Sequence, residues 1–106
     1  MKFYNKLVRD RIPEIMEEHG KKYEIRTLDQ EDYIKMLHQK LHEELREFDV
    51  ASEEDQLLEL ADMVEVIYAL VESKGCRIGD FESLRIAKKE KRGGFKEKLF
   101  LISGEE

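Results

Sequence analysis

The stretch from Leu57 to Val71 limits the possible folds most strongly, because it is apolar around nearly its whole circumference when drawn as an α-helix. At about 100° per residue two apolar stripes run along that helix. The first stripe contains Leu57, Leu60, Ala61, Val64, Ile67, Tyr68 and Val71, and the second contains Met63, Val66 and Leu70. A helix of this kind is normally buried on more than one side. The sequence therefore predicts an all-α helical bundle that is completed by a homo-oligomer, either a dimer or a tetramer.

Capping residues divide the chain into about four predicted helices. Pro favours the first helical turn, Asp and Ser cap N-termini through a side-chain oxygen, and Gly commonly follows a C-terminus. By these signals the helices run from Pro13 to Gly20, from Asp29 to about Asp49, from Ser52 to Gly75, and from Asp80 to the Gly pair in "KRGGF". Short apolar segments predict minor strands near 23–27 and 98–102. The simplest organisation is one domain over residues 1–106.

Composition excludes several classes of protein. The single cysteine, Cys76, excludes an internal disulfide framework and a zinc ribbon, and it fits the reducing cytoplasm, where we expect the protein to be found. No stretch approaches the roughly 20 apolar residues that span a bilayer, so no membrane segment is expected. The net charge of −6 disfavours binding to nucleic acid. A phosphate-bearing ligand of so acidic a protein would require metal ions.

Carboxylates at three-residue spacing interrupt the apolar faces of the second and third predicted helices. Glu44 and Glu47 lie in "EELREF", and Glu59 and Asp62 lie in "ELADMV". Residues three apart are neighbours on a helix, and a short connection favours antiparallel packing of the two helices. The two pairs would then face each other in a partly dry crevice, where a hard cation such as Mg²⁺ relieves their repulsion. Spacing alone leaves two interpretations open, a charged surface or a metal site.

The same carboxylates resemble the signature of a known superfamily. "EELRE" at Glu43 to Glu47, followed by "ELAD" at Glu59 to Asp62, is similar to the EExxE and ExxD pattern of the all-α nucleoside triphosphate (NTP) pyrophosphatases. This superfamily includes the MazG-like and the phosphoribosyl-ATP pyrophosphohydrolase-like proteins. "YNKLVRDRIPEI" at the start and "KRGGF" after the fourth helix resemble segments of the small phosphoribosyl-ATP pyrophosphohydrolase-like members. The resemblance covers nearly the whole chain.

The resemblance implies a cytoplasmic hydrolase that uses Mg²⁺, or Mn²⁺ in its place. Its substrate would be a nucleoside triphosphate, cleaved between the α and β phosphates in house-cleaning of the nucleotide pool. The implied catalytic and metal-binding residues are Glu44, Glu47, Glu59 and Asp62, with Glu43 assisting.

The substrate itself stays open. Members of the superfamily often carry an Asn or Asp shortly after ExxD, whereas Glu65 and Tyr68 stand on that side here. Lysine and arginine complement phosphate oxygens. The candidate substrate contacts are Lys6, Arg9, Lys40, Glu65, Lys91 and Arg92.

Two other functions remain open from the sequence. One is phosphoribosyl-ATP pyrophosphohydrolase proper, in histidine biosynthesis. The other is a non-catalytic helical interaction module, in which the carboxylates pair with Lys40, Arg46 or basic groups of a partner.

Overall fold

A computed structural model describes residues 2–106, and over this range the chain forms four helices and no strand. The helices are α1 (Ile12–Glu18), α2 (Gln30–Val50), α3 (Glu53–Ser73) and α4 (Ile78–Arg92). The predicted all-α helical bundle is therefore confirmed. None of these four helices is both long and apolar enough to cross a membrane.

The two longest helices, α2 and α3, form a hairpin whose capping residues are the ones that the sequence predicts. The Asp29 carboxylate accepts a hydrogen bond from the Asp32 amide at 2.8 Å, and the Ser52 hydroxyl accepts one from the Asp55 amide at 3.4 Å. These bonds satisfy amides that have no partner within the first helical turn. Because only two residues separate α2 from α3, the helices fold back on each other and pack side by side.

The small core lies between α2 and α3. Among the described residues the buried apolar side chains are Leu37 of α2 and Val66 and Val71 of α3. Val66 belongs to the second apolar stripe of α3, which therefore faces α2. Glu44 is only 5% exposed. A carboxylate thus lies at the same depth as the apolar core.

The first apolar stripe of α3 is left largely uncovered. Leu57 is 74% exposed, and Leu60 and Val64 are each 42% exposed. They lie at i, i+3 and i+7, so they share one side of the helix. The first stripe is therefore uncovered at Leu57, Leu60 and Val64, whereas Val71 near its other end is buried.

The end of α3 is a Schellman motif built around Gly75. The Gly75 amide donates to the Glu72 carbonyl at 2.9 Å, and the Cys76 amide donates to the Val71 carbonyl at 3.4 Å. This geometry requires a positive φ, here 80° at Gly75, which glycine adopts without a steric penalty. The predicted helix stop is confirmed.

The predicted start of α4 at Asp80 is wrong, because the helix begins two residues earlier, at Ile78. The N-cap residue is Arg77, whose side chain makes no capping bond. Asp80 instead lies in the first turn, where it accepts from Arg77 Nε at 3.3 Å. A carboxylate in that turn also interacts favourably with the helix dipole, so the same residue suits either position.

The predicted strands near 23–27 and 98–102 are also wrong. Both segments are irregular, and no backbone hydrogen bond joins them within the described residues. Lys98 has a φ of 59°, which interrupts an extended run at its predicted beginning. A lone segment without a partner strand has no ladder to stabilise it.

A hydrogen bond between Tyr68 and Glu82 connects α3 to α4. The Tyr68 hydroxyl donates to Glu82 Oε1 at 2.6 Å, and Arg85 Nε donates to Glu82 Oε2 at 2.7 Å. These two bonds lower the pKa of Glu82 below its ordinary value of 4.5. The bond to Glu82 also raises the pKa of Tyr68 above 10.0. The interaction needs an ionised Glu82 and a protonated Tyr68.

We expect Tyr68→Phe to lower the melting temperature by a few degrees at neutral pH and by much less at both extremes of pH. A lowered carboxyl pKa contributes stability that is present above its unfolded value and is lost as the pH falls through the folded value. The raised tyrosine pKa adds stability below pH 10.0 that is lost above it. The measurement is the difference in melting temperature between wild type and variant from pH 3 to 11. A difference that does not change with pH would show that the Tyr68 hydroxyl is not bonded to an ionised Glu82.

Candidate metal centre

Three carboxylates from α2 and α3 meet at the hairpin interface. Glu44, Glu59 and Asp62 each offer one oxygen, and these oxygens lie within 4.8 Å of one another. We call these residues the carboxylate trio. The three-residue spacing places Glu59 and Asp62 on the same side of α3, and the antiparallel packing places Glu44 opposite them.

Two oxygens of the carboxylate trio are buried without a hydrogen-bond partner. They are Oε2 of Glu44 and Oε2 of Glu59. A buried ionised carboxylate without a donor is costly, so native structures normally pair such groups. The two orphaned oxygens therefore leave the trio with unused capacity to accept a hydrogen bond or to bind a cation.

The pKa of Glu44 reflects its burial beside two other carboxylates. Burial raises the pKa of Glu44, and the adjacent carboxylates of Glu59 and Asp62 raise it further. The nearby charge of Lys40 lowers the pKa, but it does not offset burial. Burial and the neighbouring negative charges therefore both disfavour the ionised form of Glu44.

The structure places the other predicted metal ligands beside the trio rather than within it. Glu47 is exposed, yet loss of surrounding water raises its pKa, and the adjacent charge of Glu44 raises it further. Glu47 therefore lies within electrostatic reach of the trio, but it is not one of the three residues whose oxygens converge. Glu43 is half-buried and lines a neighbouring cleft with Lys6 and Gln39. On the helix, Glu43 is turned about 100° away from Glu44.

Two of the predicted basic residues contact the trio directly. Lys40 Nζ lies 3.6 Å from Glu44 Oε1, and its side chain is only 19% exposed. Arg9 Nη2 donates to Asp62 Oδ1 at 2.6 Å. Arg9 comes from the irregular segment before α1, which therefore reaches across to α3.

The remaining candidate substrate contacts lie at the surface. Lys6 is exposed, with its ammonium 5.4 Å from the centre of the Tyr4 ring. Glu65 is exposed on α3, and Lys91 and Arg92 are exposed in the last turn of α4. Over residues 2–106, no hydrogen bond or ion pair joins these four residues to the trio.

The carboxylate trio fits a hard divalent cation such as Mg²⁺. Each Mg–O distance is about 2 Å, so oxygens that bind one ion lie about 3 to 4 Å apart. The trio's spacing of up to 4.8 Å needs only small side-chain rotations to reach this range. The donors are all carboxylate oxygens, which Mg²⁺ and Mn²⁺ prefer. Cysteine and histidine, the ligands typical of structural zinc, take no part in the trio.

Charge balance supports the same conclusion. Three ionised carboxylates face two cations, Lys40 and Arg9, and Glu47 adds a further negative charge nearby. The two cations reach Oε1 of Glu44 and Oδ1 of Asp62, so they leave the orphaned oxygens of Glu44 and Glu59 unpaired. The internal ion pairs therefore neutralise the trio only in part.

Two features of this centre were not predicted from the sequence. The ion pair of Arg9 with Asp62 joins residues 53 positions apart, and no periodic pattern exists in the irregular segment that carries Arg9. Asn5 and Gln39 line the cleft beside the trio. The sequence gives no signal for an isolated amide of this kind.

Comparisons of the chain with protein-family models, with curated proteins and with solved structures found no match.

Proposed function

We propose that this chain is a Mg²⁺-dependent NTP pyrophosphohydrolase that cleaves between the α and β phosphates to give a nucleoside monophosphate and pyrophosphate. The observation that carries the proposal is the pair of buried, orphaned oxygens of Glu44 and Glu59 within the carboxylate trio. The motifs "EELRE" and "ELAD", which resemble those of the all-α NTP pyrophosphatases, supply these residues. On this proposal the chain is a member of that superfamily.

The residues of the centre have distinct roles in the proposed reaction. Glu44, Glu59 and Asp62 would hold the metal, with Glu47 at the edge of the site. When bound, Mg²⁺ neutralises phosphate charge and lowers the pKa of a bound water. Glu47, an exposed carboxylate whose pKa is raised, would accept a proton from the attacking water. Arg9 and Lys40 can turn from carboxylate oxygens to phosphate oxygens, because lysine and arginine pair with either kind of anion.

The alternative of a non-catalytic interaction module is supported by one observation, the pairing of Lys40 with Glu44 and of Arg9 with Asp62. In such a module, internal ion pairs would account for the buried charge. They do not account for the oxygens that remain without a partner. We therefore favour the metal-dependent enzyme.

Thermal stability in the presence of Mg²⁺ tests the metal site directly. A ligand at 100 times its Kd that binds only the folded state adds about 2.7 kcal/mol of stability. We expect Mg²⁺ to raise the melting temperature of the wild type, and Glu44→Gln to remove this shift. Sodium chloride at matched ionic strength serves as the control for screening of charge.

Pyrophosphate release completes the functional test. Turnover across the common NTPs and dNTPs is expected only with Mg²⁺ or Mn²⁺. No turnover, together with no Mg²⁺-dependent shift in melting temperature, would favour the interaction module. Activity on phosphoribosyl-ATP far above that on free nucleotides would identify the enzyme of histidine biosynthesis instead.

The proposal includes a second copy of the chain. A monomer of 12.6 kDa is expected to expose about 6,200 Å², whereas this chain exposes 10035 Å². Its radius of gyration is 18.1 Å, against about 13 Å for a compact domain of this length. The irregular segments contribute to the excess, but Leu57, Leu60 and Val64 are exposed on a regular helix. Burying this stripe against the same stripe of a second copy would give a symmetric dimer.

A further inference from the structure

A cleft of about 230 Å³ lies between the irregular N-terminal segment and α2. The N-terminal segment lines it with Tyr4, Asn5, Lys6 and Leu7, and α2 lines it with Met36, Gln39, Lys40 and Glu43. We call it the arm cleft.

The arm cleft adjoins the carboxylate trio. Lys40 belongs to both, because it lines the cleft while its Nζ lies 3.6 Å from Glu44 Oε1. The N-terminal segment is also common to both, since Arg9 binds Asp62 only two residues beyond Leu7. A ligand of moderate length that places one end at the trio can therefore place its other end in the cleft.

The size of the arm cleft indicates how much of a ligand it holds. Sites that enclose a whole small molecule commonly measure about 300 to 1,000 Å³. A volume of about 230 Å³ is smaller, so the cleft accommodates one part of a ligand rather than all of it. A single ring system is of suitable size.

The lining of the arm cleft suits a planar, hydrogen-bonding ring. Tyr4 is 59% exposed. The ammonium groups of Lys2 and Lys6 lie 5.1 and 5.4 Å from the centre of its ring, so a base that stacks on the ring takes the place of one of these flexible side chains. Leu7 and Met36 supply apolar contact. The amides of Asn5 and Gln39 each offer a donor and an acceptor, the combination that reads the edge of a nucleobase.

The backbone at Asn5 supports a role in binding. Its φ of 47° lies in the left-handed region, which asparagine tolerates better than most residues. Unusual backbone conformations of this kind cluster at ligand-binding sites. The conformation directs the chain around one wall of the cleft.

We propose that the arm cleft binds the nucleobase of the nucleotide whose phosphates reach the carboxylate trio. The N-terminal segment then determines base selectivity through Tyr4 and Asn5, and α2 contributes Gln39. This inference rests on the proposed function, but it is tested by equilibrium binding, which does not require turnover.

The side-chain amides provide the measurement. Asn5 is the only asparagine in the sequence, and the glutamines are Gln30, Gln39 and Gln56. Their amide signals in a ¹H–¹⁵N NMR spectrum can therefore be assigned by single substitutions. The probes are adenosine, guanosine, cytidine and uridine 5′-monophosphates, with ribose 5-phosphate as the control without a base.

At least one nucleoside monophosphate is expected to shift the amide signals of Asn5 and Gln39 and to leave those of Gln30 and Gln56 unchanged. Ribose 5-phosphate is expected to leave all four unchanged. Tyr4→Leu and Gln39→Ala should each weaken binding of that monophosphate by about tenfold, whereas Gln30→Ala should not. If no monophosphate shifts Asn5 or Gln39, or if ribose 5-phosphate produces the same shifts, the base does not bind here.

The outcomes separate this inference from the proposed function. Base-dependent shifts without pyrophosphate release would support the arm cleft and contradict the hydrolase. Pyrophosphate release by a wild type whose Asn5 and Gln39 amide signals do not respond to the base would support the hydrolase and contradict base binding in the arm cleft.

Discussion

Glu59→Gln is expected to abolish Mg²⁺-dependent pyrophosphate release while it stabilises the metal-free protein. Loss of a residue that only supports a metal ligand typically costs 10- to 100-fold in activity, so loss of a ligand should cost at least about 100-fold. The orphaned oxygen of Glu59 is replaced by an amide, which can donate to the equally orphaned oxygen of Glu44. A new hydrogen bond to a charged group, with less repulsion, should raise the free energy of unfolding by about 1 kcal/mol.

Chemical denaturation without metal and pyrophosphate release with Mg²⁺ measure the two effects on the same sample. Glu72→Gln provides the matched control, because this substitution removes the same charge at an exposed position of α3. A stabilised variant that retains full activity would remove Glu59 from the ligand set. A destabilised and inactive variant would mean that Glu59 has a structural partner instead.

Elements of this fold can be predicted from the sequence where residues close together in the chain determine them. The ends of α2 and α3 follow from Asp29, Ser52 and Gly75, each of which acts within one turn of helix. The start of α4 is predicted wrongly from Asp80, because an aspartate is favourable both at the N-cap and in the first turn of a helix. The strands fail for a different reason, since a strand depends on a distant partner that no local pattern specifies.

The same distinction applies to the candidate metal centre. Helical periodicity is enough to place Glu59 and Asp62 side by side, and the short α2–α3 connection brings Glu44 to them. Periodicity also separates Glu43 from Glu44, a difference that the EExxE motif conceals. The approach of Arg9 to Asp62 could not be predicted, because it depends on the path of an irregular segment. That path also creates the arm cleft.

The exposed stripe of α3 connects the fold to the proposed dimer. The hairpin leaves Leu57, Leu60 and Val64 of α3 exposed, so this part of the apolar surface of α3 adds little to the stability of a single chain. The carboxylate trio adds repulsion to this small core when no metal is bound. A second copy that covers the first stripe would supply the missing burial on the side of α3 away from the trio, and it would leave the metal centre accessible.

Val64→Glu is expected to dissociate the dimer and to make unfolding less cooperative. Val64 belongs to the exposed stripe, and a symmetric interface would bury both new carboxylates without a partner. An uncompensated buried charge costs about 3 to 5 kcal/mol, which corresponds to a loss of more than about 100-fold in dimer affinity.

The measurements are molar mass by light scattering across a range of concentrations, and thermal unfolding. Val64→Ile keeps the stripe apolar and should remain dimeric. A wild type that is monomeric at every concentration and unfolds cooperatively would show that this stripe is simply exposed to solvent.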